Sequence, residues 1–264
     1  MTSDLATLDG LLVCPVCKSE LDMHGSTDSP LVCLGCRREY VRHGALLDFL
    51  PSEPPDDDVA TQWPLWEELE QNGSVAYQND PSGNLSVAPR KDCAAFRAFA
   101  QLEGLVLDVG CGPQPLPWYG TAFDGTFVGI DPLVGASPRA FAFVRGLGEY
   151  LPFRSDVFDR VLFTTSLDHV IVPHRALAEA RRVVRPGGHV CIWFAEGSSA
   201  ATTRTAPSNA WYDELKVPDG AVDRFHAVRF TEGLVEELVK DAGLSVVEME
   251  RFDNTPSIFL RAVG

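Results

Sequence analysis

The chain has 264 residues, 45% hydrophobic and 22% charged, which excludes a disordered or fibrous protein and is long enough for one full-sized domain plus a small one. It contains no run of about 18 apolar residues able to cross a bilayer, and its first residues do not resemble a secretory signal, so we expect a cytoplasmic protein with no membrane partner. The net charge of −15 disfavours a nucleic-acid partner, because phosphates are neutralised by clustered Lys and Arg. This excess of acidic residues favours a small or uncharged substrate. A homodimer is left open.

Four cysteines occupy the first 36 residues in the pattern C-x2-C…C-x2-C: Cys14, Cys17, Cys33 and Cys36. Two such pairs on tight turns present four thiolates to one tetrahedral zinc ion with no open position, so the metal is expected to be structural. Iron or a cluster of reduced thiols are the alternatives. His24 and His43 are interpreted as surface residues. Residues 11–51 resemble the zinc-ribbon modules that precede some methyltransferases, including the Trm112-like family and the zinc-finger part of ribosomal-RNA guanine methyltransferases.

A proline- and acid-rich stretch at residues 51–58 predicts a domain boundary after this module. Residues 59–72 and 90–103 carry apolar side chains at helical spacing, and Asn79-Asp-Pro-Ser-Gly-Asn84 predicts a loop between them. We therefore divide the chain into a zinc-ribbon module at 1–51, a linker and helical lid segment at 52–89, and a catalytic domain at 90–264. Four aromatic residues could cover a substrate pocket, although packing in the core is the preferred interpretation for any single one: Trp63, Trp66, Tyr77 and Phe96.

The most informative stretch is LVLDVGCGPQP at residues 105–115, an apolar strand that runs into Asp108 and a turn with Gly110 and Gly112. Glycine lets backbone N–H groups approach a ligand closely. Pro115 stands where the dinucleotide fingerprint requires a third glycine, which argues against a nicotinamide dehydrogenase. A second apolar strand, FVGID, ends in Asp131 about twenty residues later, where a carboxylate can bind both ribose hydroxyls.

Strands and helices then alternate up to the final strands at 244–249 and 256–263, which indicates a mostly parallel α/β sheet with helices on both faces. This succession resembles class I S-adenosylmethionine-dependent methyltransferases over about residues 90–264. The resemblance implies a Rossmann-like sheet of seven strands, the last inserted antiparallel, and S-adenosylmethionine as the cofactor. The residues it assigns to cofactor binding are Asp108, Gly110, Cys111, Gly112, Asp131, Pro132, Gly148, Glu149 and Thr165. Among them, Gly148 and Glu149 are expected to border the adenine ring. Gln114 replaces the family's third glycine, and Leu147 stands where many members carry an acidic residue.

The acceptor is expected to face the end of the fourth strand of this domain, where Asp168 and His169 follow at once. Histidine titrates near working pH, so His169 is the first candidate for a general base, with Asp168 orienting it or binding the substrate. Residues 196–230 form a long turn-rich segment that is typical of a lid and contains a second candidate base, His226. For both histidines, a purely structural role is the alternative.

These features predict transfer of a methyl group to an oxygen, nitrogen or carbon of a small molecule. One rival keeps the chemistry but makes the protein a ribosomal-RNA guanine methyltransferase, which the acidic charge opposes. Another is a non-catalytic partner protein with a methyltransferase fold, to which Gln114 and Leu147 give some support.

Overall fold

The computed structural model of the chain describes residues 7–23, 29–197 and 210–264. Helices α1 to α6 are Asp57–Asn79, Pro81–Asn84, Lys91–Ala100, Pro173–Val183, Ala210–Glu214 and Glu232–Asp241. Strands β1 to β11 are Leu21–Asp22, Leu31–Cys33, Glu39–His43, Leu46–Asp48, Gly104–Val109, Gly125–Asp131, Ala142–Arg145, Phe158–Thr164, Val184–Ala195, Ser245–Arg251 and Ser257–Val263. Within these ranges, no helix is long and apolar enough to cross a membrane.

The strands form one sheet in the order β1-β2-β3-β4-β7-β6-β5-β8-β9-β11-β10. From β7 to β9 all neighbours are parallel, and β11 lies antiparallel between β9 and β10. The predicted Rossmann-like, mostly parallel α/β sheet is thus confirmed, including the antiparallel insertion of the last strand. The predicted count of seven strands is wrong for the sheet as a whole, because four N-terminal strands extend it to eleven.

The N-terminal module joins the sheet through β4, which pairs in parallel with β7 at Leu47 and Val144. Arg145 forms an ion pair with Asp48 at 2.9 Å across the same junction. A second contact lies on the face of the sheet, where Lys18 Nζ is 2.5 Å from Glu179 Oε2 in α4. The predicted boundary at residues 51–58 therefore separates two segments of chain that pack into one continuous structure.

Alternate residues of the central strands face two separate cores, as the pleat of a β-strand requires. Leu107 and Val109 of β5 pack in the core that includes α4 and α6, whereas Val106 packs with Phe96 of α3 and with Trp193. Helices thus cover both faces.

The connection from β5 to β6 contains only a 3-10 turn at Trp118–Gly120 instead of an α-helix. Pro113, Pro115 and Pro117 lie in this connection, and proline cannot donate the hydrogen bonds that a helix interior needs. In contrast, Pro64 lies inside α1, which begins at Asp57 with the Asp56 side chain as its N-cap. The helix predicted at 59–72 is thus longer in both directions.

Candidate functional site

The glycine loop follows β5 at the carboxyl edge of the parallel sheet. Gly110 and Gly112 have φ angles of +76° and +70°, which glycine adopts without steric cost. A Cβ atom added to Gly110 would lie 2.4 Å from the Cβ of Ser166, in the turn after β8. Ser166 Oγ in turn donates a hydrogen bond to the carbonyl of Val109 at 2.5 Å. The turns after β5 and β8 are therefore in direct contact.

Asp108 is fully buried beneath this loop. Its Oδ2 accepts a hydrogen bond from the Tyr119 hydroxyl at 2.8 Å, whereas Oδ1 has no hydrogen-bond partner among the described residues. Burial, reinforced by the negative charge of Asp131, raises the pKa of Asp108 to about 7. An unpaired buried carboxylate oxygen is costly, so this atom is suited to receive a donor or cationic group of a ligand.

Asp131 ends β6 and links the two neighbouring turns. Its Oδ2 accepts from the Gly112 backbone N–H and its Oδ1 from the Leu133 N–H, both at 2.7 Å. Burial raises the pKa of Asp131 to about 6, although these two hydrogen bonds and the nearby Arg139 favour the charged form. Each carboxylate oxygen keeps a further lone pair that could accept from a ligand hydroxyl.

Two side chains that sequence reasoning did not assign to the site hold the loop in place. Arg139 Nη1 donates to the carbonyl of Gly112 at 2.7 Å, and its Nη2 donates to the carbonyl of Leu133 at 2.9 Å. Gln114 Nε2 donates to the Cys111 carbonyl at 2.7 Å, and its Oε1 accepts from the Ser86 N–H at 2.8 Å. Gln114, which departs from the family pattern, thus braces the loop. Arg139 belongs to no motif that could have signalled it.

Gly148 and Glu149, predicted to border the adenine, lie in a 3-10 turn after β7. A Cβ added to Gly148 would lie 2.9 Å from Val109 Cγ1, so close packing against β5 requires this glycine. Glu149 is buried, and its Oε1 accepts from the Val172 N–H at 2.8 Å, just before α4. The Glu149 carboxylate therefore binds a backbone N–H group, and a contact between this turn and the adenine ring stays a prediction.

The remaining residues predicted to bind the cofactor surround the same edge of the sheet. Cys111 is buried in the core, so only its backbone can face a ligand. Pro132 is half-buried, and its carbonyl accepts from Arg145 Nε at 2.9 Å. Thr165 is exposed and has a φ angle of +55° at the end of β8. Their contacts with a cofactor stay predictions.

Helix α1 packs over the glycine loop. A Cβ added to Gly112 would lie 3.5 Å from the Tyr77 hydroxyl, which places this ring beside the loop. Glu70, one further residue that sequence reasoning missed, lies near Asp131 and Glu149; burial and these charges raise its pKa to about 8. Glu70 and Tyr77 are two helical turns apart, and this spacing on one face was the available signal.

The three residues predicted to act on the acceptor meet although His226 is distant in sequence. Asp168 Oδ1 lies 3.9 Å from His169 Nε2, and Asp168 Oδ2 lies 3.6 Å from His226 Nε2. The imidazole rings are 4.6 Å apart between centroids. Asp168 is buried in the 3-10 turn that follows Ser166, so this cluster adjoins the glycine loop.

Each imidazole is held through its Nδ1 atom. His226 Nδ1 is 2.7 Å from Asp223 Oδ1, and His169 Nδ1 is 3.1 Å from the carbonyl of Phe225. Asp223 also binds Arg229, whose Nη1 lies 3.4 Å from His226 Nε2. Desolvation lowers the pKa of His169 although 39% of its side chain stays exposed, which favours the neutral ring.

The predicted lid falls partly outside the described residues, since 198–209 are not among them. Its later part is tied to α1, where Asn72 Nδ2 donates to the carbonyls of Lys216 and Arg224 at 3.0 and 2.7 Å. Trp211 and Tyr212 form an edge-to-face pair with centroids 5.8 Å apart. Helix α1 and residues 210–230 therefore cover adjoining parts of the site.

The four N-terminal cysteines converge, with all sulfur atoms within 4.8 Å of one another. Cys14 Sγ is 3.7 Å from Cys36 Sγ, and Cys17 Sγ is 3.3 Å from Cys33 Sγ. Zinc–sulfur bonds of about 2.3 Å place tetrahedral sulfurs about 3.8 Å apart, so the cluster fits a zinc ion.

Residues 107–192 match the family model described as "Methyltransferase domain". An uncharacterized methyltransferase of Mycolicibacterium gilvum is 39% identical over 94 residues, 31% of this chain and 36% of that protein. One of Mycolicibacterium vanbaalenii is 36% identical over 91 residues, again 31% of this chain and 36% of that protein. The chain thus spans about a third of the length of these curated relatives.

Two solved structures share the fold at low identity. The 1,6-didemethyltoxoflavin-N1-methyltransferase of Burkholderia thailandensis, bound to 1,6-didemethyltoxoflavin and S-adenosylhomocysteine, has a TM-score of 0.53 at 17% identity over 89% of this chain and 98% of its own. A possible histamine N-methyltransferase of Thermotoga maritima has a TM-score of 0.50 at 17% identity over 76% and 99%. The family match at residues 107–192, which spans β5 to β9, is to a methyltransferase domain, and these two structures share the fold of that domain.

Proposed function

We propose that the protein transfers a methyl group from S-adenosylmethionine to an oxygen, nitrogen or carbon atom of a small molecule. The observation that carries this proposal is the junction of two sites at one edge of the sheet. The carboxylates of Asp108 and Asp131 surround the glycine loop. Asp168, His169 and His226, here called the acceptor-side cluster, adjoin the same loop through Ser166.

The residues around the loop fit this cofactor. The unpartnered Oδ1 of Asp108 suits the amino group of the methionine end, and Asp131 suits the ribose hydroxyls. Gly110 and Gly112 leave backbone atoms accessible where a side chain would intervene. When bound, S-adenosylmethionine supplies an electrophilic methyl group on a sulfonium. The chain therefore needs mainly to align the acceptor and manage its proton.

The acceptor-side cluster supplies the groups for that proton. Both imidazoles have Nδ1 engaged and Nε2 directed towards Asp168. A neutral Nε2 can accept a proton from a hydroxyl or ammonium group, and the Asp168 carboxylate stabilises the imidazolium that results. The net charge of −15 supports a small-molecule acceptor over RNA.

We also propose a structural zinc ion at Cys14, Cys17, Cys33 and Cys36. Four thiolates close the tetrahedron and leave no position for substrate. The nearby ion pair between Lys18 and Glu179 connects this module to α4, so the ion would stabilise the sheet as a whole.

Calorimetry with S-adenosylhomocysteine tests the cofactor site. We expect one binding site per chain, weakened by Asp131→Asn and unchanged by Asp124→Asn, an exposed aspartate before β6 that serves as the matched control. Absence of binding to the wild-type protein would favour the non-catalytic partner reading.

Product analysis tests the acceptor. The protein is incubated with methyl-labelled S-adenosylmethionine and either a pool of small hydroxyl, amine and activated-carbon compounds or total ribosomal RNA. Label in small molecules supports the proposal. Label in RNA, together with tight and salt-sensitive RNA binding, would instead identify a ribosomal-RNA methyltransferase.

A further inference from the structure

The ion-pair partners of the Asp168 carboxylate among the described residues are two histidines, which carry a charge only when protonated. Its side chain is 7% exposed, and Oδ1 makes no hydrogen bond within the described part of the chain. The nearest cationic candidates, His169 Nε2 and His226 Nε2, lie 3.9 and 3.6 Å from its oxygens, beyond hydrogen-bond distance. A buried charge without a partner is costly. The space between the three groups is therefore where a bound cation would offset that cost.

The spacing suits a metal ion. Metal–nitrogen bonds of about 2.1 Å and metal–oxygen bonds of similar length place tetrahedral ligand atoms about 3.4 Å apart. The nitrogen–oxygen distances of 3.6 and 3.9 Å need only small adjustments to reach that value. The three ligand atoms all lie within 4.8 Å of one another.

The contacts behind the imidazoles also match those of metal ligands. Histidines that bind metals usually donate their other ring N–H to a carboxylate or a backbone carbonyl, which fixes the tautomer and the ring orientation. His226 makes this contact with Asp223, and His169 makes it with the carbonyl of Phe225. This tautomer leaves the Nε2 lone pair of each ring available as a ligand, although that of His226 already faces Arg229. Arg229 Nη1, 3.4 Å from His226 Nε2, is the competing group, but its guanidinium remains held by Asp223 if that contact is replaced.

We propose that Asp168, His169 and His226 bind a divalent transition-metal ion at the acceptor face of the methyltransferase site. Two imidazoles and one carboxylate form a ligand set that suits ions from Mn²⁺ to Zn²⁺ better than Ca²⁺ or Mg²⁺. The site is distinct from the cysteine cluster, and its three protein ligands leave coordination positions open.

The open positions indicate the acceptor class, an inference that rests on the proposed methyl transfer. A metal ion binds oxygen donors and lowers the pKa of a bound hydroxyl. We therefore expect an acceptor that carries a hydroxyl group, ideally with a second oxygen donor beside it. With the ion bound, His169 and His226 would act as ligands instead of bases. The ion would lower the pKa of the acceptor's hydroxyl, which would release its proton to solvent water, and the resulting oxygen would take the methyl group from the sulfonium and leave the neutral thioether.

Mn²⁺ is the probe, because thiolates do not select it and it can be added with zinc already in the cysteine cluster. Calorimetry on the full chain should show one Mn²⁺ site with a Kd below about 100 μM. Pulsed electron paramagnetic resonance of the wild-type complex should show coupling to imidazole nitrogens. Asp168→Asn and His226→Gln should each weaken Mn²⁺ binding at least about 10-fold. His174→Ala, which removes an exposed histidine of α4, is the matched control and should not change it.

S-adenosylhomocysteine binding, measured in parallel, shows whether each variant is folded and separates this test from that of the cofactor site. If the wild-type protein binds S-adenosylhomocysteine but shows no Mn²⁺ site, or shows one without nitrogen coupling, the metal site is refuted and Asp168 and His226 form an ordinary ion pair. Methylation of a hydroxyl-bearing acceptor at a rate that is unaffected by chelation and by added Mn²⁺ would refute the ion's role in the reaction while leaving the methyltransferase proposal intact.

Discussion

Replacing Gly110 by alanine perturbs the contact between the turns after β5 and β8. The residue has a φ angle of +76°, and the new Cβ would lie 2.4 Å from the Cβ of Ser166. Real Cβ contacts are not this short, so one of the two turns must move. Gly44→Ala is the matched comparison, because Gly44 also has a positive φ, +60°, but no atom within 4 Å of its added Cβ.

The two substitutions share one cost and differ in another. A left-handed conformation costs a non-glycine residue about 1–2 kcal/mol, which both variants bear. Forcing an extra group into packed surroundings adds about 1–3 kcal/mol, which applies at Gly110 but not at Gly44. We therefore expect Gly110→Ala to lower the free energy of unfolding by about 1–3 kcal/mol more than Gly44→Ala.

Urea denaturation of both variants and of the wild type measures this difference, and calorimetry with S-adenosylhomocysteine reports the state of the loop. Gly110→Ala should also lose most cofactor affinity, whereas Gly44→Ala should keep it. Adding Ser166→Gly to Gly110→Ala removes the clashing Cβ and should recover part of the lost stability. Equal destabilisation by the two single substitutions, or no recovery in the double variant, would refute the close approach of the two turns.

Three further predictions concern the proposed cofactor site and the proposed zinc site. Asp131→Asn should weaken S-adenosylhomocysteine binding about 10–100-fold, because hydrogen bonds to a charged acceptor are lost. If calorimetry shows an unchanged affinity, the ribose does not reach this carboxylate. The affinity for S-adenosylhomocysteine should fall as the pH is lowered from 8 to 5. Asp131, with its pKa raised to about 6, is then protonated and accepts fewer hydrogen bonds. In Asp131→Asn, the affinity should depend less on pH. Elemental analysis should find one zinc per chain fewer in Cys33→Ser than in the wild type, together with lower thermal stability. Cys93→Ser should keep the wild-type zinc content, because its cysteine is also buried but lies outside the cluster. Wild-type zinc content in both variants would exclude the four-cysteine site.

The glycine loop could be predicted from the sequence because the residues that determine it are close together in the chain. Asp108, Gly110 and Gly112 lie within five residues, and the pattern of strand, glycines and second strand places Asp131 beside them through simple parallel pairing. Arg139 was not predictable, because its hydrogen bonds to the loop depend on the path of a connection without regular structure. Tyr77 could be predicted as one of several aromatic residues able to cover a pocket, but its position beside Gly112 requires the packing of α1.

The acceptor-side cluster could be predicted only in part, because its geometry depends on contacts between distant parts of the chain. Asp168 and His169 could be placed from the end of β8, but their distance to His226 depends on how residues 210–230 return over the site. That return is fixed by long-range contacts, among them the hydrogen bonds from Asn72. Asp223, which orients His226, carried no sequence signal beyond being an acidic residue nearby.

The sequence alone determined the alternation of strands and helices, the glycine turn with its two carboxylates and the four-cysteine pattern, because each is set by hydrophobic period, backbone freedom or ligand spacing within a short stretch. Only the tertiary structure decided that the N-terminal strands extend the sheet through β4 and β7 and that α1 covers the glycine loop. It also decided that His226, distant in sequence, meets Asp168 and His169. These features depend on contacts between residues far apart in the chain. The local sequence of a helix or strand does not specify which distant segment will pack against it.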